Sequence, residues 1–239
     1  MSVLEFTPFP KLPRLNRDIT ISEKLDGTNA AVVIVTLGEL DHIKTERASI
    51  RLFDDDARNL VATAAGPVQG GYLVFAQSRT RFITPERDNY GFARWVQNNA
   101  QALVDTLGAG THFGEWWGSG IQRKYGLTGG DKRFSLFNTA RWGKEAVWIG
   151  DSDTPAMGGV PGLGVVPVLY EGIFDQIEID RALRRLGVYG SAAAPGFMRP
   201  EGIVVWHTAA RHGFKATLEG DEAPKGIAAH ALDEEKLAA

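Results

Sequence analysis

The chain has 239 residues, 44% hydrophobic and 23% charged, which is the composition of a soluble globular protein with a sizeable core. No apolar run approaches the roughly 20 residues needed to span a bilayer, and the absence of cysteine excludes disulfides and thiolate metal sites. A net charge of −3 gives no global attraction to nucleic acid, so any such binding rests on local patches.

In chain order, residues 1–18 set Lys11, Arg14, Arg17 and the amino terminus among prolines and read as an extended arm. The opening Met1-Ser2-Val3-Leu4-Glu5-Phe6 has neither the basic region nor the apolar core of a signal peptide. With no cysteine, this suits a cytoplasmic location. Ile19-Thr20-Ile21-Ser22 and Ala30-Ala31-Val32-Val33-Ile34-Val35 read as strands flanking Glu23-Lys24-Leu25-Asp26-Gly27-Thr28-Asn29, so the expectation is a hairpin with Lys24 at its turn. Gly27 can take φ > 0 and let a ligand approach the main chain closely. A plain surface lysine on an ordinary hairpin is the competing reading.

Residues 39–71 are polar and mixed, and Asp54-Asp55-Asp56 reads as a solvated turn. A strand at 72–78 leads into the basic loop Arg79-Thr80-Arg81. Asp88 or Asn89 caps a helix whose apolar residues Phe92, Trp95, Val96, Ala100, Leu103 and Leu107 recur at helical spacing, with Gly108 and Gly110 closing it. Strands are expected near 111–117, 133–138, 145–149 and 165–170, a helix near 175–186, and a strand pair at Glu201–Trp206 and Gly213–Leu218. No repeat or long linker divides the chain, so it reads as one α+β domain.

Lys24-x-Asp26-Gly27 resembles the nucleotide-attachment motif of the covalent nucleotidyltransferases: DNA ligases, RNA ligases and mRNA capping enzymes. Four further blocks follow in the order that superfamily uses. His112-Phe113-Gly114-Glu115-Trp116-Trp117-Gly118 resembles motif III, and Phe134-Ser135-Leu136-Phe137-Asn138 resembles motif IIIa. Glu201-Gly202-Ile203-Val204-Val205 resembles motif IV, and Phe214-Lys215-Ala216-Thr217 resembles motif V. Within the superfamily, Thr28-Asn29 and the run Gly114–Gln122 are most similar to the ATP-dependent RNA ligases of phage type.

The resemblance implies a nucleotidyltransferase fold, an ATP-grasp-like ligase adenylation domain of antiparallel sheets with flanking helices. It implies attack of Lys24 on the α-phosphate of ATP, a covalent lysyl-AMP, and transfer of AMP to a 5′-phosphate that is then joined to a 3′-OH. By the same resemblance Lys215 assists the catalytic lysine, and Glu23, Asp26, Gly27, Asn29, Arg79, Glu115, Phe137, Glu201 and Lys215 contact the nucleotide. Phe137 would stack on the base. Glu201 and Glu115 would face Mg²⁺ or Mn²⁺, in part through water, because phosphoryl transfer needs charge neutralised on the oxygens. Of Trp116 and Trp117, which alternate across a strand, one is expected to pack inward and one can face a base.

Two departures stand out. The first lysine of the family's Lys-x-Lys motif V is Gly213 here, leaving Arg211 or Lys225 to replace it. Only residues 216–239 follow Lys215, too few for a five-stranded barrel, so the expectation is a single nucleotidyltransferase domain over 1–239 with no OB-fold or helical domain appended. The grip on the strand would come from Arg79, Arg81, Arg123, Lys124, Lys132 and Arg133, or from a partner protein. The partner class is nucleic acid with 5′-phosphate and 3′-OH ends, RNA ahead of DNA. A DNA nick ligase with the same first step, and a nucleotide-binding module without turnover, remain as alternatives.

Overall fold

The computed structural model describes residues 7–36, 58–66, 71–143 and 155–219. The expected strand at 145–149, the Asp54–Asp56 cluster and Lys225 lie outside them. Among the described residues no helix is long and apolar enough to cross a membrane.

Two sheets, largely antiparallel, and a few helices make up an α+β fold. The smaller sheet contains β1 (Asp18–Lys24), β9 (Val168–Ile173), β10 (Gly202–His207) and β11 (His212–Thr217), in the order β11-β10-β1-β9. The larger contains β2 (Thr28–Thr36), β3 (Leu60–Ala64), β4 (Tyr72–Ser78), β6 (Gly110–Gly118), β7 (Lys132–Leu136) and β8 (Leu163–Val165), in the order β3-β4-β2-β6-β7-β8. The short β5 (Phe82–Ile83) pairs with β4, and among the described residues only β7 and β8 run parallel.

The expected hairpin at Lys24 is not formed. β1 pairs with β9 and β10, whereas β2 pairs with β4 and β6, so Leu25-Asp26-Gly27 carries the chain from one sheet to the other. Both strands have the apolar alternation of a hairpin arm, but each finds its partners far along the chain. Among the described residues the chain returns to the smaller sheet at Val166-Pro167, between β8 and β9. The two crossings lie side by side, because the Glu23 amide donates to the Pro167 carbonyl at 2.9 Å. Leu25, Val166, Trp117, Tyr125, Ala193 and Ala194 pack a small apolar cluster around them.

Helix α1 (Phe92–Asn98) and helix α2 (Ala100–Leu107) cover one face of the larger sheet. The single helix expected there is broken at Asn99, whose φ of −116° and ψ of 14° are not helical. Its side chain donates to the Trp95 carbonyl at 2.8 Å, the local competition with backbone bonding that disfavours asparagine inside helices. Asp88 caps α1 as expected, accepting from Ala93 at 2.8 Å and Arg94 at 3.0 Å. Phe92 sits among Trp95, Trp116 and Phe134 with ring centroids 5.0 to 5.7 Å away, giving this core its aromatic centre. A short helix α3 (Thr139–Trp142) follows β7.

Helix α4 (Gln176–Tyr189), capped by Asp175 through the Ile177 amide at 2.8 Å, covers the smaller sheet. Its Ala182 and Leu186 pack on Ile19, Ile21, Ile203 and Val205. Side chains alternate across a strand, so Thr20, Ser22 and Lys24 belong to the other face. On the larger sheet the helix-covered face takes Ala30, Val32, Trp116 and Phe134, leaving Asn29, Glu115 and Trp117 to the opposite one. Lys24 and Glu115 thus stand on the faces that the helices leave uncovered.

Candidate active site

Lys24 ends β1, and its Nζ lies 2.6 Å from Oε1 of Glu201, the residue before β10. Register brings them together, since Lys24 pairs with Gly202. Both side chains are mostly buried, and Oε2 of Glu201 is buried with no hydrogen-bond partner. A buried carboxylate oxygen without a donor is costly unless a ligand or cation satisfies it.

Glu115, in the middle of β6, forms the other acidic wall. Its Oε1 accepts from the Gly27 amide at 3.0 Å and its Oε2 from the Asn29 side-chain amide at 2.8 Å. Burial pushes its carboxyl up from the ordinary 4.5 to about 7, against the lowering effects of the Gly27 bond and the Lys24 charge. Asn29 in turn accepts from Arg79, whose Nε is 2.9 Å away. Arg79, Asn29, Glu115 and Gly27 form one polar chain from solvent to the crossing.

Gly27 is not in the left-handed region; it is required by close approach. A Cβ there would lie 2.4 Å from the Trp116 carbonyl oxygen and 2.8 Å from Trp117 Cβ. The crossing is pressed against β6, so what comes near the Gly27 main chain is protein. Asp26 is held from two sides: its amide donates to the Tyr125 hydroxyl at 2.9 Å and its Oδ2 accepts from Arg123 Nε at 3.0 Å.

Glu23 points the other way from Lys24 and is buried. Its Oε2 accepts from the amides of Ala192 and Ala193 at 2.8 and 2.9 Å, while Oε1 has no partner. Burial raises its pKa, outweighing those hydrogen bonds. Both Trp116 and Trp117 are buried, on opposite faces of β6, and Trp117 donates to Ser135 Oγ at 2.9 Å. Neither faces solvent, so neither presents a ring to a base. Phe137 follows β7, is 43% exposed, and donates its amide to the carbonyl of Phe113, which is itself 54% exposed.

Lys215 is exposed on β11 opposite Val204, which pairs with Ser22, so it shares the uncovered face of the smaller sheet with Lys24. Arg211 sits in the turn before β11 with φ of 50°. The basic residues expected to grip a strand divide. Arg123 makes a bidentate pair with Glu219 at 2.8 Å besides its bond to Asp26, and Arg133 is buried against Asp131 and Trp117. Lys132 donates to the Tyr90 carbonyl at 2.8 Å, and Arg81 to the Arg87 carbonyl at 3.2 Å. Lys124 is exposed in the turn after Arg123, and Arg79 is exposed beside Asn29.

A family model described as RNA ligase matches residues 17–218, from the residue before β1 to the residue after β11. The chain belongs to the RNA ligase family. No curated protein matches it. Nucleic acid is the substrate class that membership implies. Both sheets and both crossings lie inside the matched span, while the proline-rich arm from residue 7 to residue 16 precedes it.

Sequence reasoning missed several residues that build the site. Tyr125, with φ of 49°, reaches the Asp26 amide from a turn 99 positions away, and the Ser191–Ala194 loop holds Glu23. No local pattern marks them, because each acts through contacts to residues far away in the chain. Phe113 is visible in the sequence only as part of a motif.

Proposed function

We propose that this member of the family is an ATP-dependent RNA ligase built on a nucleotidyltransferase fold, with Lys24 as the nucleophile. The observation that carries the reading is Lys24 Nζ facing Glu201 at 2.6 Å, at the crossing between sheets whose uncovered faces carry Glu115 and Lys215. The Nζ lone pair attacks the α-phosphorus of ATP, the bond to the pyrophosphate oxygen breaks, and a lysyl phosphoramidate of AMP remains. Glu201 Oε1, 2.6 Å from Nζ, takes the proton that the amine must lose. An RNA 5′-phosphate oxygen then attacks the same phosphorus and breaks the P–N bond, returning the proton to Lys24. A 3′-hydroxyl finally attacks the 5′-phosphate and releases AMP.

No group of three or more acidic or histidine side chains gathers to hold a metal among the described residues. The residues present fit a magnesium ion: Glu201, whose Oε2 is buried without a hydrogen-bond partner, and Glu115 would hold it together with phosphate and water. Such an ion would neutralise charge on the phosphate oxygens. Lys215 supplies a further positive charge on the same face, and Phe137 a ring for the adenine.

Incubation with α-labelled ATP and Mg²⁺ is expected to label the wild-type protein covalently and to leave Lys24→Ala unlabelled. Label on Lys24→Ala removes the nucleophile assignment. Joining nicked DNA in preference to RNA keeps the first step and overturns the substrate.

A further inference from the structure

Three rows of paired residues cross the uncovered face of the smaller sheet. Lys24 pairs with Gly202 and Gly202 with Thr217; Ser22 pairs with Val204 and Val204 with Lys215. In the third row Thr20 pairs with Trp206 and Trp206 with Gly213. Directly paired residues project to one side, so Trp206 stands on the same face as Lys24 and Lys215. Its ring is 47% exposed and lies over Gly213, where a Cβ would touch Cε3 at 3.6 Å. The position that holds a lysine in the motif therefore carries the indole of the neighbouring strand. Between Lys24 and Trp206 the floor is Ser22, Thr20 and Val204, all small.

We propose that Trp206 is a stacking platform for a nucleobase of the 5′-phosphorylated RNA strand. This rests on the ligase reading above. The strand's 5′-phosphate must reach the adenylate on Lys24, so the strand starts at that row and its following nucleotides run away from it. Four residues of β1 separate the Lys24 and Trp206 rows, about 13 Å at 3.3 Å per residue. That is farther than the base of the nucleotide attached to Lys24 extends, and suits the next nucleotides of the incoming strand. An exposed indole beside a lysine supplies both contacts a nucleotide offers, a π-face for the base and a cation for the phosphate. Stacking accepts any base, so the platform binds without reading sequence.

The test uses the full chain and a short 5′-phosphorylated single-stranded RNA carrying a 3′ fluorophore, read by anisotropy without ATP. Trp206→Ala is expected to weaken binding about tenfold and Trp206→Phe to recover most of it. An RNA with abasic sites at its first two nucleotides should bind wild type as weakly as intact RNA binds Trp206→Ala, and should lose nothing further on that variant. Unchanged RNA affinity in Trp206→Ala, by a variant whose circular dichroism matches wild type, overturns the proposal. So does a loss of ATP labelling that parallels the loss of RNA binding, which would put the ring on the ATP side. Failure of the wild-type chain to label with ATP sinks the ligase reading instead, a separate result because RNA binding is measured without ATP.

Discussion

At the scale of single residues, the acidic pair around Lys24 is unequal. Glu201 is tied directly to the ammonium, whereas Glu115 is buried and receives two neutral hydrogen bonds. A carboxyl whose pKa rises from 4.5 to about 7 on folding binds protons more tightly in the folded state. Its contribution to stability is complete below pH 4.5 and is lost as pH rises through 7. At 1.36 kcal/mol per pH unit, the interval amounts to on the order of 3 kcal/mol. Urea unfolding of wild type and Glu115→Gln at several pH values between 5 and 8 checks this. The wild type should lose stability relative to the variant as pH rises, while parallel pH profiles would show that Glu115 titrates normally. Residue identities were the most legible part of the site. Lys24, Glu115 and Lys215 are chemically distinctive and lie on the uncovered faces of β1, β6 and β11, and Glu201 directly precedes β10. Glu23 was not legible in the same way, because strand alternation turns it away from the face of Lys24 toward the Ser191–Ala194 backbone.

At the scale of elements, the connection after β1 is what the sequence hid. Alternation in 19–22 and 30–35 predicts two strands and their faces but does not say which strands they join. The same local view makes Gly27 a turn glycine, whereas the structure makes it the contact point between the crossing and β6. Gly27→Ala would force a methyl against the Trp116 carbonyl and Trp117 Cβ, both part of a paired strand with little room to shift. We expect a loss of roughly 1–3 kcal/mol, read as a lower melting temperature, together with weaker ATP labelling as the Glu115 bond to Gly27 lengthens. A variant with wild-type melting temperature would mean that the crossing stands off β6. Helix α1 and helix α2 teach a similar lesson: apolar spacing ran through residues 92–107, and only the side-chain chemistry of Asn99 marked the break.

At the scale of the whole molecule, net charge −3 leaves nucleic-acid binding to a few local cations. Arg123 and Arg133 are engaged inside the protein, whereas Lys215, Lys124 and Arg79 are exposed. Two or three phosphate contacts on a single strand predict a slope of log affinity against log salt of about −1.4 to −2.1. Titration of RNA at several salt concentrations measures it directly; a slope near −5 would demand a broad basic surface elsewhere.

The two adjacent crossings also have a mechanical meaning. The sheets are joined like the covers of a book along a spine, with the Glu23–Pro167 bond stitching its two threads. When a book opens, points on the spine travel least and points on the page edges travel most. Lys24 sits at the spine, whereas Trp206 lies four residues farther out along its page. Turning of one sheet against the other would thus move the outer edge, where Trp206 stands, while Lys24 keeps its place.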